Sequence, residues 1–161
     1  MKRKSTLIIL TMLVLTGNVF AQTGFNKATL LKDVLQRVGS DYKEVIAKNG
    51  KPLVETTEIQ NSNKKSIYLF YSGLQIHIID NYYEEKVKFI YSYDPKFELI
   101  KGVCVGADIE DVLQILGDDY THFSNPSVYR FERFSSDYII IITVFLGRVT
   151  KIEFQNTDDY V

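Results

Sequence analysis

The hydrophobic and polar positions of this chain change period along its length, and the changes predict where helices give way to strands. Apolar residues first recur at helical spacing, which predicts an amphipathic helix over residues 26–38; they are Leu30, Leu31, Val34, Leu35 and Val38. Later segments rich in aromatic and β-branched residues indicate strands. The chain is therefore expected to belong to the α+β class.

A thirteen-residue pattern occurs twice in the chain, since residues 38–50 match residues 105–117 without a gap, 67 positions apart. Each copy has an Asp near its start, apolar residues at i, i+3 and i+4, and a Gly at its end. An Asp carboxylate accepts hydrogen bonds from the free amides that begin a helix, and Gly adopts the left-handed conformation that ends one. The recurrence predicts helices over 41–49 and 108–116, and it indicates a duplication.

Each of these helices is followed by a polar stretch and then by three segments with strand character. The predicted strands are residues 66–71, 74–80 and 86–93 in the first copy and 128–134, 138–145 and 148–155 in the second. Their short connections favour hairpins. The predicted fold is two tandem helix-plus-three-strand repeats that form one antiparallel sheet with the helices packed on one face. The expected divisions are a signal peptide (1–21), an N-terminal helical extension (22–37), a first α/β repeat (38–100) and a second (101–161).

Alternation along the strands assigns side chains to the two faces of the sheet. In the second copy, Tyr129 and Phe131 are predicted to face the core and Arg130 to face solvent. Comparison between the copies extends this assignment to the first copy, with Tyr68 and Phe70 inward and with Ile67, Leu69 and Tyr71 outward.

Residues 1–21 have the order of a secretory signal peptide, with basic residues at positions 2–4, an apolar run from Leu7 to Leu15, and Ala21 at the cleavage position. The apolar run is shorter than the roughly 20 residues that span a bilayer. We therefore expect cleavage after Ala21, a periplasmic or secreted mature protein, and no stable membrane insertion.

The mature chain is expected to be weakly acidic, because removal of residues 1–21 leaves 16 Lys and Arg against 20 Asp and Glu. A nucleic-acid surface needs clustered basic residues, and Lys64-Lys65 is the only adjacent basic pair in the mature sequence. Nucleic acid is therefore not an expected partner. The single cysteine, Cys104, lies in an apolar run and is predicted to be buried and inert, with no intramolecular disulfide.

Catalytic and metal-binding motifs are missing from the sequence. His77 and His122 are the only histidines, so a zinc site would need carboxylates from scattered loops. Acidic residues are adjacent in sequence at Glu84-Glu85, Asp118-Asp119 and Asp158-Asp159, among other places, whereas glycoside hydrolysis needs two carboxylates that face each other across a cleft. We predict no enzymatic activity, no cofactor and no metal.

The second copy carries an ordered set of motifs: Lys101-Gly102-Val103, the Asp-to-Gly helix pattern, Tyr129-x-Phe131, an apolar strand, and Gly147-Arg148-Val149. This order resembles the helix-plus-antiparallel-strand repeat of the β-lactamase inhibitor protein fold, which is similar in outline to a small lipoprotein of the bacterial outer-membrane barrel-assembly machine. The resemblance spans about residues 38–156. It implies a tandem fold whose sheet grips another protein, although the chain lacks the inhibitor's paired cysteines and the lipoprotein's lipidation cysteine.

Tyrosine is the most distinctive residue type, with 11 in the chain and no tryptophan. Tyrosine suits strands and also suits recognition surfaces, where Tyr and Arg often dominate binding. We predict that function lies on the sheet face away from the helices, with these partner-binding residues: Tyr71, His77, Tyr91, Tyr93 and Arg130. This aromatic surface is either exposed or covered by the helix over residues 26–38.

The predicted function is that of an exported, non-catalytic, inhibitor-like module whose partner is another protein. Two alternatives stay open. One is a factor in cell-envelope assembly or maintenance, and the other is a periplasmic protein that binds a small ligand.

Overall fold

The computed structural model describes residues 29–81, 83–132 and 137–157, which form three helices and ten strands. The helices are α1 (Leu30–Val38), α2 (Tyr42–Asn49) and α3 (Ile109–Leu116). The strands are β1 (Val54–Asn61), β2 (Lys64–Phe70), β3 (Leu74–Asn81), β4 (Glu85–Ser92), β5 (Glu98–Ile100), β6 (Val103–Cys104), β7 (Thr121–Ser124), β8 (Ser127–Glu132), β9 (Tyr138–Phe145) and β10 (Arg148–Asn156). The predicted signal peptide lies outside the described residues.

Local capping chemistry sets the limits of α2 and α3. The Asp41 carboxylate accepts a hydrogen bond from the Glu44 amide at 2.8 Å, and Asp108 accepts one from the second residue of α3 at 3.0 Å. Both helices end at glycines with positive φ, Gly50 and Gly117. The predicted limits of these two helices are thus confirmed to within one residue.

Eight strands form one antiparallel sheet in the order β1-β2-β3-β4-β10-β9-β8-β7. Each of α2 and α3 is followed by a four-strand meander, and the two meanders meet where β4 pairs with β10. Strands β5 and β6 form a separate hairpin in the connection between the meanders. The predicted α+β class and the large antiparallel sheet are confirmed, while the duplication stays a prediction.

The prediction of three strands per copy is wrong, because each meander has an additional edge strand, β1 or β7, where a polar loop was expected. Every residue of β1 and of β7 is exposed. Neither strand therefore has the buried alternate positions that produce a recognisable strand pattern in a sequence.

The core lies between the helices and one face of the sheet. Leu30 and Val34 of α1 belong to the same buried cluster as Ile76 and Ile78 of β3 and Phe154 of β10. Helix α1 therefore packs on the helical side, next to α2 and β5. The alternative in which this helix covers the outward aromatic surface is wrong for the residues that the structure describes.

Two smaller points complete the fold. Cys104 is half-buried and not buried as predicted, because it lies on the short strand β6 opposite the exposed Glu98, whereas its neighbour Val103 is fully buried. Within the described ranges, no helix is long and apolar enough to cross a membrane.

Candidate functional site on the outer face of the sheet

The outer face of the sheet, which points away from the three helices, carries a row of stacked rings on β2, β3 and β4. Strand register places Tyr68 opposite His77 and His77 opposite Phe89. The ring centroids are 4.4 Å apart in the first pair and 5.2 Å apart in the second, and both interplanar angles are 8°. Tyr91 continues the row at 6.2 Å from Phe89. We name these four residues the aromatic row.

The aromatic row is separate from the hydrophobic core. Its four side chains are all half-buried, and none belongs to the buried cluster beneath the helices. Alternate residues of the same strands, such as Leu69, Ile76 and Ile90, point to the other side and are almost completely buried. The two faces of β2 to β4 are thus both apolar, and only one of them is covered by helices.

His77 takes part in this row as a neutral ring. Its Nε2 atom is buried and has no hydrogen-bond partner. Burial lowers the pKa of His77, while Glu58 raises it and Lys64 lowers it to smaller extents. The imidazole is therefore uncharged at pH 7, and it packs between Tyr68 and Phe89 as an aromatic side chain.

Ion pairs border the aromatic row on β10 and β8. Glu153 lies opposite Tyr91, and the Lys151 ammonium donates to Glu153 at 2.6 Å, which raises the pKa of Lys151. Burial, followed by the negative charge of Glu153, raises the pKa of Tyr91, so its hydroxyl stays protonated. Farther along the same face, Arg130 donates to Glu132 at 2.6 Å.

Four of the five predicted partner-binding residues share the outer face. Tyr91 and Arg130 lie in one line across the sheet, three strand spacings or about 14 Å apart. His77 lies inside the aromatic row, and Tyr93 lies just past the end of β4 with 54% of its surface exposed. The role of these residues in binding stays a prediction.

The predicted outward placement of Tyr71 is wrong. Its hydroxyl donates to the carbonyl oxygen of Gly50 at 3.2 Å, and its ring packs against the core on the helical side. Burial raises the pKa of Tyr71. This tyrosine therefore fastens the end of α2 to the sheet and is not part of the outer face.

The same error affects all of β2, where the predicted faces are inverted. Ile67 and Leu69 are buried under the helices, whereas Tyr68 and Phe70 are on the outer face. Residues 67–71 are all apolar or aromatic, so alternation carries no information about their faces. Comparison between the copies failed because it matched Tyr129 with Tyr68, which is an odd offset of 61 positions, whereas the buried residues Phe131 and Leu69 are 62 positions apart. An error of one residue exchanges the two faces of a strand.

Sequence reasoning also missed Phe89 as a member of the row. On the neighbouring strand, Leu74, Ile76 and Ile78 alternate with Gln75 and His77, which assigns the faces of β3. This alternation does not assign Phe89, because a register shift next to His77 leaves Lys88 as an additional residue in β4; with regular pairing Phe89 would lie opposite Ile76.

Other chemistry is sparse in the part of the chain that the structure describes. No group of three or more His, Cys, Asp or Glu residues there could hold a metal ion. A shallow cavity lies at the far end of β1 and β2, and its lining includes Lys65 and Asp80, which form an ion pair at 2.8 Å. The Lys65 ammonium is thus already paired with a carboxylate, and Lys64 is the other lysine that lines the cavity.

Comparison with known proteins gives information on the fold alone. No family model matches the sequence, and neither does any curated protein. An extracellular protein containing a SCP domain from Bacillus anthracis has a similar structure, with a TM-score of 0.50 and 14% identity over 76% of this chain and 45% of that one. This chain thus spans less than half the length of that protein.

Two further solved structures have lower similarity. A cysteine-rich secretory protein from Staphylococcus aureus has a TM-score of 0.48 and 11% identity, over 76% of this chain and 46% of that one. A DUF4309 family protein from Bacillus subtilis has a TM-score of 0.41 and 12% identity, over 81% of this chain and 95% of that one. None of the three is described as a β-lactamase inhibitor, so the resemblance to that fold stays a prediction.

The buried imidazole predicts a pH dependence of stability. Because the pKa of His77 in the folded chain lies below its ordinary value of 6.5, the unfolded chain binds the proton first as the pH falls. The free energy of unfolding therefore has its full value above pH 6.5, and it decreases as the pH falls from 6.5 toward the lower pKa of His77 in the folded chain. Urea unfolding between about pH 8 and pH 5 measures this loss.

A His77→Phe variant isolates the effect. Phenylalanine keeps a ring in the aromatic row and removes the unpaired nitrogen. The free energy of unfolding of the variant is therefore expected to be about 1 kcal/mol higher at neutral pH, and its dependence on pH through His77 is expected to disappear. His122→Phe is the matched control, because His122 is exposed on β7. If the free energy of unfolding of His77→Phe depended on pH as it does in the wild type, His77 would not be the source of that dependence.

Proposed function

We propose that this chain is an exported, non-catalytic module that binds another protein through the outer face of its sheet. The observation that carries this proposal is the aromatic row, which lies on the one apolar sheet face that no described helix covers. Apolar surface of this kind on a water-exposed face is typical of an interaction site.

The geometry of the row favours recognition of a protein surface. Its rings are held against one another at centroid distances of 4.4 to 6.2 Å, so they lose little side-chain entropy when a partner packs on them. The ion pairs Lys151–Glu153 and Arg130–Glu132 lie to one side of the rings on the same face. An apolar centre with charged residues at its border is the usual anatomy of a protein interface.

The chemistry of the face supports binding without catalysis. The His77 Nε2 atom is buried inside the row, where a substrate does not reach it. The carboxylate of Glu58 accepts a hydrogen bond from the Tyr68 hydroxyl at 3.3 Å, and that of Glu153 is paired with Lys151. The face therefore offers shape and apolar surface to a partner.

Export is supported by two independent observations. Residues 1–21 have the order of a secretory signal peptide. The proteins of B. anthracis and S. aureus with similar structures are described as extracellular and secretory. Whether the mature protein stays in a periplasm or leaves the cell is decided by fractionation of the source organism.

Capture of partners from the exported fraction tests the binding face. The wild-type chain and a Tyr91→Ala variant serve as baits, and the loss of a central interface ring is expected to weaken capture by roughly 2 kcal/mol, or about thirtyfold. Tyr83→Ala is the matched control, because Tyr83 is 91% exposed in the connection between β3 and β4. Equal losses in both variants, or destabilisation of Tyr91→Ala with unchanged capture, would contradict the proposal.

The same experiment separates the alternatives. A complex of outer-membrane barrel proteins as the captured partner would favour envelope assembly. The small-ligand alternative has less support from the described residues, because the cavity near β1 and β2 is shallow and Lys65, one of its two lysines, is already paired with Asp80.

A further inference from the structure

Three rings of the aromatic row are stacked face to face across neighbouring strands. The interplanar angle is 8° both between Tyr68 and His77 and between His77 and Phe89, and the centroids are 4.4 and 5.2 Å apart. Both faces of the His77 ring are therefore covered by the rings beside it. On the two flanks of the stack, Thr56 of β1 lies opposite Tyr68, and Gln155 of β10 lies opposite Phe89. The faces of all three rings thus point along the sheet toward neighbouring side chains.

The part of these rings that reaches solvent is consequently the edge. All three side chains are half-buried, and their stacked faces cover one another. An aromatic ring has a negative face and a positive edge. The centre of the outer face therefore presents a band of ring hydrogens with partial positive charge. A ligand that stacks flat on an aromatic face, as a nucleobase does, finds no free face within this stack of three rings.

Two kinds of group complement the edges of aromatic rings, namely anions and the negative faces of other aromatic rings. A neighbouring charge decides between them. Glu58 of β1 is exposed, its carboxylate accepts a hydrogen bond from the Tyr68 hydroxyl at 3.3 Å, and it forms no ion pair within the described ranges. This carboxylate repels an anion that approaches the row. An aromatic face is therefore the better complement.

Glu58 also indicates the charge that a partner needs next to that aromatic group. Lys64 is on the same face of the sheet, but it is four residues before Tyr68 on β2, or about 13 Å along the strand. Lys151, on the other side of the row, is already paired with Glu153. A basic group from the partner would therefore find its complement at Glu58.

We propose that the protein partner places an aromatic side chain flat across the edges of Tyr68, His77 and Phe89, with a basic group beside it that pairs with Glu58. This inference rests on the proposed protein-binding face and specifies what a partner must present there. Because the ring centroids are only 4.4 and 5.2 Å apart, one indole or phenol ring over the stack meets the edges of two rings at once. Each such contact has the edge-to-face geometry that aromatic pairs prefer.

Titration with capped dipeptides, followed by nuclear magnetic resonance, tests this chemistry. A tryptophan–arginine dipeptide is expected to shift the ring-proton signals of Tyr68 and Phe89 upfield, because those protons would lie over the face of the indole. A leucine–arginine dipeptide is expected to bind about tenfold more weakly, since it has no aromatic face. A tryptophan–glutamate dipeptide is expected to bind about threefold more weakly, and added salt should remove this difference.

Two variants assign the contacts. Phe89→Leu keeps an apolar side chain and removes one ring edge, so its affinity for the tryptophan–arginine dipeptide is expected to fall about fivefold; urea unfolding checks that it is folded. Glu58→Gln keeps an acceptor for the Tyr68 hydroxyl and is expected to lose the preference for arginine over glutamate. Because Glu58 is exposed on an edge strand, this variant tests the proposal independently of the stability of Phe89→Leu. Phe145→Leu is the matched control, since Phe145 is a 68% exposed ring at the end of β9.

Three results would overturn the inference: equal affinity for the tryptophan and leucine dipeptides, loss of binding in Phe145→Leu with none in Phe89→Leu, or an unchanged preference for arginine in Glu58→Gln. The proposed function would still stand in each case if Tyr91→Ala weakened the capture of partners. If Tyr91→Ala left capture unchanged, the protein-binding face and the inference that rests on it would both fail.

Discussion

Replacement of Gly39 by alanine is expected to lower the free energy of unfolding by about 3–5 kcal/mol. Gly39 has φ of 109°, and a Cβ atom at this position would lie 2.5 Å from the Val45 amide nitrogen and 2.7 Å from the Glu44 carbonyl carbon. Both are backbone atoms in α2, so the clash is relieved only by moving the helix away from the turn that precedes it. Chemical denaturation of the variant measures the loss.

The sequence itself supplies a matched control for this substitution. Gly106 occupies the same place in the second copy of the thirteen-residue pattern and also has positive φ, but a Cβ atom at this position would meet no neighbouring group within 4 Å. Gly106→Ala is therefore expected to cost only the backbone strain, about 1–2 kcal/mol. Equal losses for the two variants would show that the close approach at Gly39 does not decide its effect.

A Phe154→Ala variant is expected to lose about 3–5 kcal/mol through the cavity that it leaves. Phe154 is 1% exposed on β10, at the centre of the sheet, and its ring lies 6.0 Å from that of Tyr138. Its paired neighbours Ile90 and Ile140 are also buried, so the surroundings have little freedom to fill the space. Thermal and urea unfolding report the loss.

Phe145→Ala is the control for this second prediction, because Phe145 is on the adjacent strand β9 and is 68% exposed. Its stability is expected to stay within about 0.5 kcal/mol of the wild type. A large loss at Phe145, or a small one at Phe154, would mean that β10 is not at the centre of the core.

The sequence predicts the helices well because their limits depend on local chemistry. Asp41 and Gly50 act within one helix, and Asp108 and Gly117 act in the same way in the other, so no distant contact is needed to place them. The edge strands β1 and β7 were missed for the opposite reason. Their polar, exposed residues adopt strand structure only because β2 and β8 offer hydrogen-bonding partners.

The candidate site could be predicted only in part. His77 and Arg130 were placed on the correct face because polar or charged residues alternate with apolar ones around them. Tyr71 was misplaced because both faces of β2 are apolar, and tertiary packing alone decides which one the helices cover. The stacking of Tyr68 on His77 and of His77 on Phe89 depends on register across three strands, which no local pattern specifies.

The position of β10 has a consequence for the order of folding. This strand is the last of those described in the sequence, yet it lies between β4 and β9, and its Asn156 side chain donates to the Val87 carbonyl oxygen at 3.1 Å, 69 residues away. During synthesis the first meander is complete long before β10 emerges, so the edge of β4 has no partner strand in the meantime. Pairing across such a sequence separation is slow, and an unpaired edge recruits strands from other chains. A nascent chain that stalls before residue 148 is therefore expected to aggregate through β4, which makes rapid completion of the C-terminal strand a requirement for soluble expression.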